Sequence, residues 1–221
     1  MDLLRAMRER HSVRSYTDAP ITGSTLNSLR RLVEVANKES GLNIQLITDE
    51  PRAFDGRMAK YGSFKGVRNY LALIGPDGKD LDEKCGYYGE YIVIGAQALG
   101  LNTCWVGLSY QKVPDAYEVK KGEKLLMVIA VGYGADKGTE HRSKSYDSVV
   151  RNASSAPEWF KSGVEAALLA PTALNQQKFV FEPVGDKVRA KAKWGPYSKT
   201  DLGIAKYHFE LASGKSHDVW L

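Results

Sequence analysis

Two short runs of residues hold the side chains best suited to chemistry. Arg10-His11-Ser12-Val13-Arg14 places two guanidinium groups, an imidazole and a hydroxyl within one pentapeptide. Guanidinium groups bind phosphate oxygens through paired, charge-assisted hydrogen bonds, and a hydroxyl adds another donor. The run suits one phosphate, although a solvated basic helix end favoured by the helix dipole has the same composition. The second run is Ala170-Pro171-Thr172-Ala173-Leu174-Asn175-Gln176-Gln177. Pro171 fixes the exit from a helix, Thr172 and Asn175 offer hydrogen bonds, and Ala173 permits close packing. Such a turn suits the polar edge of a ring.

Two more runs add to these. In Ala98-Leu99-Gly100-Leu101-Asn102-Thr103-Cys104-Trp105-Val106-Gly107, Gly100 reads as a helix stop and the following residues as a strand. Gly107 leaves room for a ligand to approach a backbone N–H. A plain helix stop and core strand would account for the glycine and the apolar residues, but it does not require Thr103-Cys104-Trp105. His141-Arg142-Ser143-Lys144 follows Val131-Gly132-Tyr133-Gly134 and supplies Arg142 and Lys144 as further cations, although a charged loop is commonly just solvated. Tyr61 and Phe64 stand in a glycine-flanked loop, placed either to cap a ring or to pack.

The elements that must position these residues are legible from periodicity. Asp2 caps a short helix carrying Leu3, Leu4 and Met7, which ends near His11. A second helix fits residues 24–36, with Leu26, Leu29, Leu32, Val33 and Ala36 on one stripe. Residues 43–48 read as a strand, and Pro51 as the first turn of a helix running towards Lys60. Residues 70–74 form a strand closed by Gly75-Pro76-Asp77-Gly78. Residues 83–99 are small and apolar on most sides, which predicts a central, nearly buried helix. Strands follow at 103–106 and 125–131, then loop through 132–155, a helix from Pro157 to Leu169, a strand at 179–181 and a last helix over 199–212. Helices and strands interleave around one core, so the fold class is α+β.

Composition sets outer bounds. The 221 residues are 43% hydrophobic and 26% charged, enough for one large domain or two intimately packed halves. A formal charge of +5 permits polyanion binding without demanding it, and the basic clusters, including Lys187, Arg189, Lys191 and Lys193, are short. No nucleic-acid motif accompanies them. The longest apolar runs fall below the roughly 18 residues of a membrane span, and Met1-Asp2-Leu3-Leu4-Arg5 does not read as a secretory leader, so a cytoplasmic location without membrane association is expected. Cys85 and Cys104 are too few for a disulfide framework or zinc site, and the four histidines lack ligand spacing, so no metal is expected. A dinucleotide fingerprint, a Walker loop and a Gly-x-Ser-x-Gly elbow are all missing.

The chain also repeats itself weakly. Val33-Glu34-Val35-Ala36 matches Val164-Glu165-Ala166-Ala167, each in a helix leading to an Asn (Asn43, Asn175) and a strand, at offsets of 131 and 132. Lys84-Cys85-Gly86 matches Asp201-Leu202-Gly203 at an offset of 117, which leaves room for a deletion.

These segments resemble the FMN-dependent nitroreductases, and specifically the small subgroup in which the duplication lies within one polypeptide. In that family an Ala-Pro-Ser-Ser-x-Asn-x-Gln segment follows Arg-x-Ser-x-Arg by a couple of dozen residues. Here that slot holds residues 36–43, which have lost the Pro, while the intact version stands at residues 170–177. The signature Gly-Leu-Gly-Thr-Cys-Trp-Ile-Gly is similar to residues 100–107, with Asn102 in place of a Gly. Relatives continue Gln-Pro-Trp where this chain has Gln177-Lys178-Phe179, losing the Pro and keeping an aromatic.

The resemblance implies a nitroreductase-like fold of two pseudo-symmetric halves, an intramolecular pseudo-dimer. Residues 1–150 would be the half with the FMN phosphate site, and residues 151–221 the shorter half completing it. It implies one surviving composite flavin site. Arg10, His11, Ser12 and Arg14 would hold the phosphate and ring edge, and Arg142 and Lys144 would complete the phosphate site. The backbone over Trp105, Val106 and Gly107 would face flavin N5, and Pro171, Thr172, Ala173 and Asn175 would reach the flavin from the far half. The implied reaction is ping-pong: NAD(P)H reduces the flavin, which then reduces a small electron-poor acceptor such as a nitroaromatic or quinone. No side chain is assigned as acid or base, because the chemistry is the cofactor's. The alternative is a non-catalytic flavin-binding protein for FMN storage or sensing. A monomer is expected, since one chain supplies both halves of the site.

Overall fold

The computed structural model describes residues 2–140 and 142–221, so Met1 and His141 lie outside the described residues. In chain order the elements are α1 (Leu3–Glu9), α2 (Gly23–Ser40), β1 (Gln45–Ile47), α3 (Arg57–Tyr61), β2 (Tyr70–Pro76), α4 (Leu81–Ala98), β3 (Asn102–Val106), β4 (Glu123–Gly132), α5 (Glu158–Ala167), β5 (Phe179–Val184), β6 (Lys187–Ala192) and α6 (Ser198–Ser213). Single 3-10 turns stand at Arg52–Phe54, Tyr146–Ser148, Ala173–Asn175 and His217–Val219.

Strands β1 to β4 form an antiparallel sheet in the order β1-β2-β4-β3, and β5 and β6 form a separate hairpin. The apolar run of β2 is explained by burial on both faces. Leu71 and Leu73 point into a core with Leu29 and Val33 of α2 and Ile92 and Val93 of α4. Tyr70, Ala72 and Ile74 point the other way, onto Phe54, Phe64, Cys104 and Val106.

A third core joins Phe160 and Val164 of α5 to Phe179, Phe181, Val188 and Phe209. Helices α4 and α6 pack most extensively of all element pairs and join this core to the first. Among the described residues no helix is long and apolar enough to cross a membrane, and no group of His, Cys, Asp and Glu is disposed to hold a metal ion.

Several expectations are adjusted. Asp2 does cap α1, accepting a hydrogen bond from the Arg5 amide, but the helix closes at Glu9. Helix α2 runs on to Ser40, where Gly41 takes the left-handed conformation at its end. The segment after Pro51 is a 3-10 turn and a short helix rather than one continuous helix, broken at Asp55 and Gly56. Phe64 is a core residue, packed edge-on against Phe54 at 5.2 Å, and only Tyr61 of the suggested lid pair is exposed. Strand β6 was not expected from the sequence and takes up the basic cluster at residues 187–193, apart from Lys193.

Candidate functional site

The basic pentapeptide leaves α1 in extended conformation, beginning at Arg10. It lies beside β3: the Val13 amide donates to the Thr103 carbonyl at 3.1 Å, and Ser12 bridges to Thr103 in parallel register. Tyr16 locks the far end, its hydroxyl donating to the Val13 carbonyl at 2.8 Å. Register with β3 brings Arg10, Ser12 and Arg14 around one buried atom, the Cys104 thiol. Burial pushes that thiol up, and Arg14, a hydrogen bond with Ser12 and Arg10 oppose the rise.

Arg10 itself is buried, with 3% of its side chain exposed, and burial pulls its guanidinium down from the usual arginine value. Its Nε has no hydrogen-bond partner among the described residues, and the nearest carboxylate, Glu90, stands 3.9 Å away. A buried donor left without a partner is costly, so this atom is an unmet demand for an acceptor. Arg14 is exposed, while His11 and Ser12 are half-buried. The His11 Nδ1 donates to the Lys137 carbonyl at 3.2 Å, and Gly138 sits at φ +68° where a Cβ would stand 2.7 Å from the Ser12 carbonyl oxygen. That contact carries the loop after β4 over the pentapeptide.

The end of β3 turns into Gly107. A Cβ there would meet the Tyr197 ring at 2.6 Å, so the ring of a residue preceding α6 covers the glycine. Trp105 and Val106 present backbone rather than side chain to this region. The Trp105 indole donates to Glu90 Oε2 at 2.9 Å, and the Val106 side chain belongs to the core behind the sheet.

From Tyr197 the site continues into the 170–177 turn. Buried Asp201 accepts from the Ala173 amide at 3.0 Å and from Gln176 Nε2 at 2.7 Å. Burial pushes its carboxyl up to about 6, with those two hydrogen bonds opposing the rise. The turn is strained: Leu174, Asn175 and Gln177 all adopt left-handed φ, at 52°, 52° and 42°. Gln177 over-determines it. Its amide N–H donates to Thr172 Oγ1, its Nε2 donates to the Arg142 carbonyl and to Asn175 Oδ1, and its Oε1 accepts from the Lys144 amide. Asn175 Nδ2 also donates to the Arg142 carbonyl at 2.9 Å.

The structure therefore brings residues 10–14, 105–107 and 137–138 together on one side, and 142–144 with 172–177 on the other. Tyr197 over Gly107 connects the two groups. Arg142 is exposed, but the Lys144 ammonium is held on the Gln176 carbonyl at 2.6 Å, where it braces the turn. Thr172 and both amide atoms of Asn175 are engaged within the protein, and Pro171 is half-buried beside them. Sequence reasoning passed over Gln177, Tyr197, Asp201 and Glu90. A buried Gln at a turn and a carboxylate inside a small-residue helix are visible signals, but their partners are distant in the chain.

An antiparallel sheet flanked by helices, a second helix pair packed across it and a basic segment laid along the strand before Gly107 are the features of a nitroreductase-like α+β fold. A family model described as "Putative TM nitroreductase" matches residues 2–213, and the chain belongs to that family. A structure described as a "putative nitroreductase" from Thermotoga maritima is 20% identical with a TM-score of 0.67, over 96% of this chain and 83% of that one. A structure described as a "putative nitroreductase" from Desulfovibrio desulfuricans in complex with FMN is 18% identical, TM-score 0.52, over 67% of this chain and 95% of that one. An FMN-dependent nitroreductase from Clostridium difficile is 16% identical, TM-score 0.52, over 66% and 97%. The comparison with curated proteins returns no match.

Proposed function

We propose that the protein is an FMN-dependent oxidoreductase that carries electrons from NAD(P)H to a small electron-poor acceptor, a nitroaromatic or quinone, in two half-reactions at one pocket. The observation that carries the reading is the buried Arg10 Nε without a partner, at the head of a segment that also presents Ser12 and Arg14. That donor set fits a phosphate. FMN, when bound, supplies reversible two-electron carriage. Arg10, Ser12 and Arg14 bind the phosphate, His11 holds the loop at Lys137 over it, and the Gly107 backbone offers an N–H to the ring. Lys144, Asn175 and Gln177 set the turn that brings Pro171, Thr172 and Ala173 to the ring from the second half. Tyr197 excludes water from Gly107 and must move or stack when a ring enters. Family membership and the FMN named in two structural neighbours support this assignment.

One site per chain and a monomer follow in the same reading. Residues 1–150 form the unit that carries the phosphate site, and residues 151–221 complete it. The test is the visible spectrum of protein purified without added cofactor, with flavin counted per chain, followed by anaerobic NADH or NADPH. About one flavin per chain that bleaches on reductant supports the enzyme. Flavin that does not bleach turns the reading to storage or sensing, and protein that refuses added FMN overturns it.

A further inference from the structure

Behind Arg10 lies a buried polar cluster that the proposed reaction does not use. Glu90, in the middle of α4, is fully buried, and so is His208 on α6, in the other half of the chain. The His208 Nε2 stands 2.9 Å from Glu90 Oε1, and its Nδ1 stands 3.1 Å from the Ala166 carbonyl oxygen. The other carboxylate oxygen, Glu90 Oε2, accepts from the Trp105 indole at 2.9 Å.

Donor and acceptor chemistry fixes the proton inventory. A carbonyl oxygen can only accept, so Nδ1 carries a hydrogen towards Ala166. Nε2 then faces a carboxylate oxygen, and two lone pairs at hydrogen-bond distance in a dry interior are untenable. A second proton must lie between Nε2 and Oε1, on whichever atom. If His208 holds it, the pair is imidazolium and carboxylate. If Glu90 holds it, both are neutral. Either way the pair sums to zero charge, and Arg10, always protonated, is left over. The other titratable neighbours, Cys104 on β3 and Tyr207 beside His208, are both pushed up by burial and add no charge near neutrality.

We infer that His208 is a positioning residue for anion binding: by sharing a proton with Glu90 it keeps that carboxylate from neutralising Arg10, so the cluster presents one uncompensated positive charge to the candidate phosphate site. The unpartnered Arg10 Nε, 3.9 Å from Glu90 rather than bonded to it, is the geometric sign of this. The inference rests on the flavin reading for the identity of the anion, but not for the proton count. It also gives the second half of the chain a role in phosphate binding that no direct contact provides.

The test compares FMN with riboflavin, which lacks the phosphate. In H208Q the glutamine still donates to Glu90 but offers no proton for the pair to share, which leaves Arg10 as the one cation facing that carboxyl group. The preference for FMN over riboflavin is expected to fall at least about tenfold. In E90Q/H208Q the carboxylate is gone, Arg10 is again uncompensated, and the preference is expected to return to within about threefold of the natural chain. A purely structural role predicts a further loss in the double variant, so an unchanged preference in H208Q, or no recovery in the double, overturns the inference. Nitrogen NMR of the His208 ring gives a readout that needs no flavin. An imidazolium or an Nδ1–H tautomer is expected, and an Nε2–H tautomer with a bare Nδ1 would overturn the proton count. If the natural chain takes up neither flavin, the flavin reading fails. The same variants are then read by the rise in Tm on adding inorganic phosphate, expected in the natural chain and the double variant but not in H208Q.

Discussion

Gly86 on α4 and Gly203 on α6 pack backbone to backbone, each against the carbonyl oxygen of the residue three before the other. A Cβ at Gly86 would lie 2.1 Å from the Thr200 carbonyl oxygen, and one at Gly203 would lie 2.1 Å from that of Glu83. This reciprocity is the signature of an isologous contact, the kind a two-fold axis imposes on identical subunits. Here it occurs between two helices of one chain, at the positions matched in the sequence as Lys84-Cys85-Gly86 and Asp201-Leu202-Gly203. The two glycines therefore hold equivalent places in the contact between α4 and α6.

Alanine at either glycine should therefore be costly despite its better helix propensity. The propensity gain is at most about 1 kcal/mol. A Cβ inside the contact distance of a backbone oxygen cannot be relieved by a rotamer change, so the helices must separate, at about 1–3 kcal/mol or more. Gly86→Ala and Gly203→Ala should each lower the urea midpoint, by an equivalent of about 2 kcal/mol. The double variant should lose clearly less than the sum, because one separation accommodates both methyl groups. Strict additivity would show that the two contacts are independent.

Asp201 predicts a pH dependence with a definite sign. Burial raises its folded-state pKa from 3.8 to about 6, so folding favours its protonated form. That contribution is complete below about pH 4 and is lost as pH rises through 6, at a cost of about 3 kcal/mol. Asp201→Asn cannot ionise. Urea unfolding at pH 4 and pH 7 should show the natural chain losing about that much relative to the variant over the interval. Parallel pH profiles would mean that Asp201 titrates normally.

Gln177 predicts a change in local opening. Gln177→Leu keeps the volume but leaves the Lys144 amide and Asn175 Oδ1 without the Gln177 side chain, while the Arg142 carbonyl keeps only Asn175, a penalty of about 1–3 kcal/mol. The strap at residues 142–144 should then open more often, at roughly tenfold per 1.4 kcal/mol. Trypsin reads this directly, because Arg142 and Lys144 are its targets. Faster cleavage there with little change at Arg30 or Arg31 on α2 is the expected pattern, and uniform acceleration would instead indicate global destabilisation.

The sequence carried the frame of this fold further than its site. Helix stripes and capping residues marked α1, α2, α4, α5 and α6 because their apolar faces are local patterns. The match of Lys84-Cys85-Gly86 with Asp201-Leu202-Gly203 has a counterpart in the structure, because Gly86 and Gly203 perform the same packing task. Strand β6 was missed although Lys187-Val188-Arg189-Ala190-Lys191-Ala192 alternates as a half-buried strand does, and Gly185-Asp186 ahead of it is a tight hairpin turn. A loop aromatic such as Phe64 has no period, so the sequence leaves capping and packing both open, and only tertiary packing on Phe54 settles its side. The cluster of Arg10, Glu90 and His208 was illegible for a stricter reason. Its members are polar residues scattered across the chain, joined only when α4 meets α6.

Gly107 offers the sharpest separation of site from scaffold. A methyl group there would meet Tyr197 Cζ at 2.6 Å and its hydroxyl at 2.7 Å, which are the far end of a flexible side chain, so Gly107→Ala can fold by letting the ring swing away. Stability should change by no more than about 1 kcal/mol, as for other sites where a neighbour yields. If the backbone at Gly107 meets the flavin ring, the same methyl blocks that approach, and FMN affinity should fall roughly tenfold or more. Tyr197→Ala removes the displaced ring from the comparison. In the double variant the methyl has open space on the Tyr197 side, yet still stands between backbone and cofactor, so affinity should remain low. Recovery in the double variant would instead assign the effect to Tyr197 pushed into the cofactor's space, and would make that ring, rather than the glycine backbone, the element that the flavin meets. Fluorescence titration of FMN into the three variants, with thermal unfolding as the folding control, distinguishes these outcomes.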